Sequence, residues 1–127
     1  MDKTTMVGVE ISKGAEVVEI LDHANLKVSV ALWAYLSEYE DWRLVIAGRH
    51  FDLPDPRDGY RVLREALESG GLTRQKTPPV LILPTTDPFV RELRRIFGKA
   101  KSVEGMRLGG QTIGDRFIHD AYVYRIS

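Results

Sequence analysis

The sequence contains no cysteine. This excludes disulfide bonds, thiolate nucleophiles and cysteine metal sites. Long apolar runs are missing as well: the longest covers residues 30–36, whereas a membrane-spanning helix needs about 20 such residues. The first ten residues hold no apolar core of the kind that a secretory signal requires. These absences together predict a cytoplasmic protein that does not enter the membrane.

The composition of the 127 residues is close to that of ordinary globular proteins, with 43% hydrophobic and 28% charged residues. A chain of this length can build one proper hydrophobic core and is too short for two. We therefore expect a single domain over residues 1–127.

The charges sum to zero but are unevenly distributed along the chain. Residues 1–41 carry three lysines against eight acidic residues, and residues 42–127 carry fifteen basic residues against ten acidic ones. One interpretation is that the two halves face each other, either within the fold or across a contact in a homo-oligomer. The other is that the second half presents a basic surface to an anionic partner.

The pattern of apolar and turn residues predicts an α+β fold in the order (β)αββαβαββ, with about five strands in a mixed sheet and three helices. Residues 6–11 alternate and predict a short strand or an ordered arm. A turn at 12–14 and a helix over 15–25 follow. Alternation over 26–36 favours a strand, although a helical spacing fits almost as well.

A second β-like run over 42–47 completes a predicted hairpin, whose four-residue turn at 38–41 would pair Ser37 with Trp42. Farther along, Asp55 and Asp87 each precede a proline, the pattern of a capping residue and the first residue of a helix. We expect these helices to end at Gly70 and Gly98. Residues 80–83 predict a strand buried on both faces, and residues 106–126 predict a second hairpin.

A polar segment over residues 48–60 links a predicted strand to a predicted helix, a position where α/β proteins often place functional groups. If the protein is an enzyme, this segment predicts a hydrolase site built by His50, Asp52 and Asp55, with Arg57 or His119 contributing. His50 would be a general base or a metal ligand. Helix capping alone accounts for Asp55, and it is the more economical explanation.

Known catalytic and cofactor motifs are missing from the sequence. We find no HExxH, EF-hand, GxxxxGK[ST], GxGxxG or GxSxG pattern, and no acid-x-Lys pair on a strand. A Ser–His–Asp triad stays open because the order of its members along a chain is free. No metal and no cofactor are therefore assigned, and a binding role is favoured over catalysis.

Two surfaces are candidates for such binding. The predicted helix over 88–97 and the residues after it carry a basic stripe that suits phosphate groups: Arg91, Arg94, Arg95, Lys99 and Lys101. The first hairpin places three aromatic residues on one sheet face: Trp33, Tyr35 and Trp42. If helices leave this face uncovered, it predicts a protein interface; the alternative is that helices bury both faces.

The sequence therefore favours a small binding or accessory domain that acts through protein contacts and self-associates. A nucleic-acid-binding protein that uses the basic helix over 88–101 is the first alternative, and the hydrolase is the second.

Overall fold

The computed structural model describes residues 8–127 and contains three α-helices and six strands over that range. The helices are α1 (Gly8–His23), α2 (Pro56–Ser69) and α3 (Pro88–Phe97). The strands are β1 (Val30–Leu36), β2 (Asp41–Ala47), β3 (Val80–Ile82), β4 (Arg107–Leu108), β5 (Gln111–Ile113) and β6 (Arg116–Ile126). The predicted α+β class is confirmed.

The six strands form one mixed sheet in the order β3-β2-β1-β6-β4, with β5 also paired to β6. Only β2 and β3 are parallel, and α2 provides the crossover between them. The predicted hairpin of β1 and β2 is confirmed, but its register differs from the prediction. Trp42 pairs with Tyr35 and not with Ser37. Because this shift is two residues, every side chain keeps its predicted face.

The prediction for the start of the chain is wrong where it can be compared with the structure. Residues 8–14 belong to α1, not to a strand and a turn, whereas residues 6 and 7 lie outside the described residues. The helix ends where Asn25 adopts a left-handed conformation with φ of 60°. The Leu26 N–H donates to the Leu21 carbonyl and the Asn25 N–H to the Asp22 carbonyl. This is the Schellman arrangement, in which Asn is an accepted substitute for Gly.

Gly14 explains how this helix can pack closely on the sheet. A Cβ atom at this position would lie 2.2 Å from Tyr124 Oη and 2.6 Å from Trp33 Nε1. Trp33 Nε1 donates to the Glu10 carbonyl at 3.0 Å, and Tyr124 Oη donates to the Ile11 carbonyl at 2.5 Å. Gly14 therefore allows two aromatic side chains of the sheet to approach the helix backbone, a role of glycine that its immediate neighbours in sequence do not reveal.

The sheet separates two apolar clusters. Helices α1 and α2 cover one face, which we call the first face, and their buried residues pack on Trp33, Leu44 and Ile46. Helix α3 covers the opposite face, the second face, and packs with Leu32 and Val45. No polar or charged residue within residues 8–127 is buried. The acidic half of the sequence contacts the basic half through two ion pairs, Asp22 with Arg125 and Glu38 with Arg116, whereas α1 and α3 lie on opposite faces of the sheet.

Both proline-initiated helices begin and end as predicted. The side chain of Asp55 accepts from the Arg57 N–H and that of Asp87 from the Phe89 N–H. Helix α3 buries Phe89, Val90 and Leu93 against the sheet, whereas Ile96 near its end is 46% exposed.

Strand β3 forms one edge of the sheet and is only partly buried, contrary to the prediction for this segment. Its Ile82 N–H donates to Tyr60 Oη at 3.0 Å, which occupies one donor of an edge that would otherwise be open to another strand. Within residues 8–127, we find no helix with the length and apolar character needed to cross a membrane.

Candidate functional site

The polar segment after β2 is used mainly for structural contacts. The carboxylate of Asp52 accepts from the Thr85 N–H at 2.9 Å and from Thr85 Oγ1 at 2.5 Å, and thereby joins the loops that follow β2 and β3. Asp55 caps α2, and its contacts with the Arg57 side chain and N–H lower the pKa of its carboxyl. Both carboxylates of the predicted hydrolase site are thus engaged elsewhere.

His50 lies in a short 3₁₀ turn (Arg49–Phe51) and is partly exposed. Among residues 8–127, no three His, Cys, Asp or Glu side chains come together in an arrangement that could hold a metal ion. The hydrolase therefore stays a prediction from sequence, without a geometric observation in its favour.

The expected location of the uncovered aromatic surface is wrong for the two tryptophans. Trp33 is 1% exposed and Trp42 is 8% exposed, because both belong to the apolar cluster on the first face. Tyr35 is only partly buried and packs edge to face on Trp42, with ring centroids 5.8 Å apart. It marks the boundary between the covered and the open parts of this face.

An open aromatic surface does exist, and it lies farther along the same face. Phe117 is 39% exposed, His119 is exposed, and Tyr35 and Tyr122 are partly exposed. We call these four residues the open aromatic surface. His119 links two of the other rings: its centroid lies 5.3 Å from Tyr35 and 4.9 Å from Phe117, both edge to face.

Two bulges in β6 orient the residues of this surface. The pairing with β1 skips His119 between Tyr35 and Leu36, and it skips Tyr124 four residues earlier along β1, between Ala31 and Leu32. A bulge places two successive side chains on the same side of a strand. At the first bulge His119 and Asp120 therefore both point to the first face, between Ile118 and Ala121 on the second face. At the second bulge Tyr124 and Arg125 both contact α1. The sequence contains a signal for these bulges, because the apolar residues that are buried on the second face are not spaced by a regular two positions. They are Ile118, Ala121, Val123 and Ile126.

The residues around His119 form polar contacts that hold the surface in place. Ser37 Oγ and His119 Nε2 are hydrogen-bonded at 3.1 Å. Asp120 accepts from Arg107 at 2.6 Å, and the Arg107 guanidinium lies 6.0 Å from the Tyr122 ring centroid. The contact of Ser37 with His119 joins two of the three residue types of a Ser–His–Asp triad, but the Asp120 carboxylate pairs with Arg107.

Arg116 borders the open aromatic surface and connects three loops. It pairs with Glu38 in the β1–β2 turn and approaches Asp87, the cap of α3, at 3.5 Å. Burial lowers the pKa of Arg116, and burial together with nearby Asp115 raises the pKa of Asp87 against the effect of the Phe89 N–H. The loops at this end of the sheet are thus tied to one another beneath the exposed rings.

The basic residues of the α3 region form a second feature on the opposite face. An open depression of about 400 Å³ is lined by Arg91, Arg94, Arg95, Gly98, Lys99 and Ser127. The structure therefore brings together four of the five predicted basic residues, and Lys101 is outside the lining. Arg95 is paired with Glu92 and Arg94 Nε donates to the Ser127 carbonyl at 2.7 Å.

Neither the family models, the curated proteins nor the solved structures provide a match to this chain.

Proposed function

We propose that this protein is a small binding domain that acts through protein contacts, and that it self-associates through the open aromatic surface. The observation that supports this proposal is that four aromatic rings remain accessible on a sheet face whose remainder is covered by two helices. Tyrosine and phenylalanine are enriched in the buried centres of protein interfaces, where charged residues are depleted.

The surface has the rigidity that an interface benefits from. Edge-to-face contacts connect Tyr35, His119 and Phe117 in one chain of rings, and Ser37 holds His119 from the side. Side chains that are already ordered lose little conformational entropy when a partner binds. The ion pairs of Arg107 and Arg116 lie beside these rings, which gives the apolar centre a polar rim of the kind that interfaces have.

A second copy of the chain is the partner that we propose. In a two-fold contact the same patch meets itself, so a patch that is apolar and aromatic at its centre needs no complementary charge. The polar rim is also suitable for such a contact, since it carries both charge signs: Arg107 with Asp120 and Arg116 with Glu38.

Light scattering after size-exclusion chromatography tests this proposal. The native chain should show a molar mass that rises with concentration towards twice 14.4 kDa. Phe117→Ser should shift this rise to higher concentration by about fivefold or more, because loss of an aromatic side chain at the centre of an interface costs about 1 kcal/mol of binding or more.

Leu53→Ser is the matched control. Leu53 is 38% exposed, almost the same as Phe117, and it lies in the loop after β2, away from the open aromatic surface. Leu53→Ser should therefore associate like the native chain. A native mass that stays at one chain at all concentrations, or an equal effect of Phe117→Ser and Leu53→Ser, would contradict the proposal.

A further inference from the structure

The basic depression beside α3 contains an arginine that helix electrostatics and ion pairing do not account for. Arg91 lies in the first turn of α3, two residues after Phe89, whose N–H is capped by Asp87. A cation is disfavoured at this end of a helix because the macrodipole is positive there. Among residues 8–127, Arg91 and Lys99 take part in no ion pair or side-chain hydrogen bond.

The other basic residues of the depression are better accounted for. Arg94 and Arg95 lie in the last turn of α3, where the negative end of the helix favours cations. Arg95 also donates hydrogen bonds to Glu92, and this contact lowers the pKa of Glu92 and raises the pKa of Arg95. Arg94 uses Nε on the Ser127 carbonyl but keeps further N–H donors on its guanidinium. Within residues 8–127, no acidic side chain pairs with three cations of the depression: Arg91, Arg94 and Lys99.

The positive charges of the depression also repel one another. Arg91 and Arg94 are three residues apart on α3, so these two cations are neighbours on its surface and repel each other. The Asp87 carboxylate does not relieve Arg91, because it accepts from the Phe89 N–H and faces Arg116. An anion placed in the depression would relieve this repulsion.

The fold keeps the acidic part of the chain away from this depression. Helix α1 carries Glu10, Glu16, Glu19 and Asp22 on the first face, and α3 lies on the second face. Two layers of packing separate the two helices by roughly 20 Å, given about 10 Å for each layer. That separation exceeds the Debye length of about 8 Å at physiological ionic strength. The zero net charge therefore does not cancel the local field of the depression.

We infer that the depression binds the phosphate backbone of double-stranded nucleic acid, without reading its sequence. From Arg91 to Lys99 the chain advances about 12 Å, at about 1.5 Å per residue. One duplex strand carries a phosphate charge about every 3.4 Å along the axis, so this length matches three or four phosphates. A single strand is a poorer ligand, because the depression is lined by no aromatic side chain on which bases could stack.

Fluorescence anisotropy with a labelled duplex of about 20 base pairs tests this inference. Three neutralised phosphates predict that the logarithm of the binding constant falls with the logarithm of salt concentration with a slope of about −2.7, at about −0.9 per phosphate. Arg91→Gln should weaken binding several-fold at low salt and reduce this slope by about 0.9. Arg91 is exposed, so the variant should remain folded, which circular dichroism verifies.

Arg64→Gln is the matched control for the change in net charge. Arg64 is exposed on α2, on the first face, and no ion pair occupies it within residues 8–127. It should bind the duplex like the native chain. Duplex DNA and duplex RNA should bind with similar affinity, and a single strand of equal length more weakly.

Four results would overturn the inference: no binding of either duplex at low salt, equal effects of Arg91→Gln and Arg64→Gln, stronger binding of polyglutamate than of duplex, or stronger binding of vesicles containing phosphatidylserine. This depression and the open aromatic surface lie on opposite faces of the sheet. Phe117→Ser should therefore leave nucleic-acid binding by a single chain unchanged, so the two proposals can fail separately.

Discussion

The two faces of the sheet differ in how completely they are covered, and the number of helices on each face does not explain this difference. The first face is covered by two helices yet remains open around Phe117 and His119. The second face has a single helix, but its buried cluster includes residues of β1, β2 and β6 together with Leu83, which follows β3. The difference comes from the C-terminal part of the chain, where Val103, Leu108 and Ile113 all pack on the second face.

Coverage of a sheet therefore depends on where the connecting segments run as much as on the helices. Helix α1 contacts β1 and β6 through Trp33 and Tyr124, and α2 lies near the β3 edge, where Tyr60 accepts from Ile82. Neither helix reaches the beginning of β6. That uncovered end is the location of the open aromatic surface.

Ile118 and Phe117 provide the most direct test of this difference, because they are neighbours on β6 that point to opposite faces. Ile118 is fully buried on the second face, and Phe117 is 39% exposed on the first. Ile118→Ala should lower the free energy of unfolding by about 2–5 kcal/mol, through lost burial and a residual cavity. Phe117→Ala should lower it by about 1 kcal/mol or less. Urea denaturation measures both, and equal losses would mean that the first face is closed after all.

Gly14 tests how the covered part of the first face is built. Gly14→Ala should destabilise the protein by about 1–3 kcal/mol, because the added Cβ would displace Tyr124 and Trp33 from their carbonyl partners. Gly8→Ala is the control on the same helix, since a Cβ at Gly8 meets no atom within 4 Å. It should leave stability unchanged or raise it by up to about 1 kcal/mol. Stabilisation by Gly14→Ala would show that α1 does not pack closely on the sheet.

The contact of Asp22 with Arg125 tests the attachment of α1 to the end of β6. Two hydrogen bonds, at 2.9 and 2.7 Å, join these side chains, and the hydrogen bond from Arg125 lowers the pKa of Asp22. A carboxyl with a lowered pKa in the folded state stabilises the fold above its ordinary pKa, and this stabilisation is lost as the pH falls through the lowered value. Asp22→Asn should therefore cost about 1 kcal/mol near neutral pH, since solvent screens a partly exposed pair.

The difference in free energy of unfolding between the native chain and Asp22→Asn should shrink as the pH falls below about 4, because Asp22 of the unfolded chain becomes protonated there. Urea denaturation at several pH values measures this trend. Glu65→Gln is the control, because Glu65 is exposed on α2 and forms no ion pair within residues 8–127. A difference between Asp22→Asn and the native chain that stays constant down to pH 2 would contradict the assignment.

Features governed by neighbouring residues are predictable from this sequence. The caps of α2 and α3 follow from Asp55-Pro56 and Asp87-Pro88, because an aspartate carboxylate reaches N–H groups only two or three residues away. The faces of β1 and β2 follow from strict alternation, and they survived a register error because that error was two residues. The basic stripe of α3 was also visible, since residues three and four apart share a helix surface.

Features that depend on distant residues were missed. Residues 8–11 alternate like a strand, but they form a helix because Trp33 and Tyr124 supply contacts more than 20 residues away along the chain. Trp33 and Trp42 were candidates for an exposed interface, but α1 and its neighbours cover them. His119 was a candidate contributor to the hydrolase site of His50, and the structure places it at a bulge of β6 in contact with Ser37.

The sequence by itself determined the α+β class, the two proline-initiated helices and the presence of basic and aromatic sets, because propensity, capping and periodicity act within a few residues. Only the tertiary structure decided which aromatic rings remain open, and that Arg91, Arg94 and Lys99 share one depression on the face opposite the acidic helix. The reason is that burial of a sheet face depends on which helix or loop arrives over it, and this is set by contacts between residues far apart in the chain.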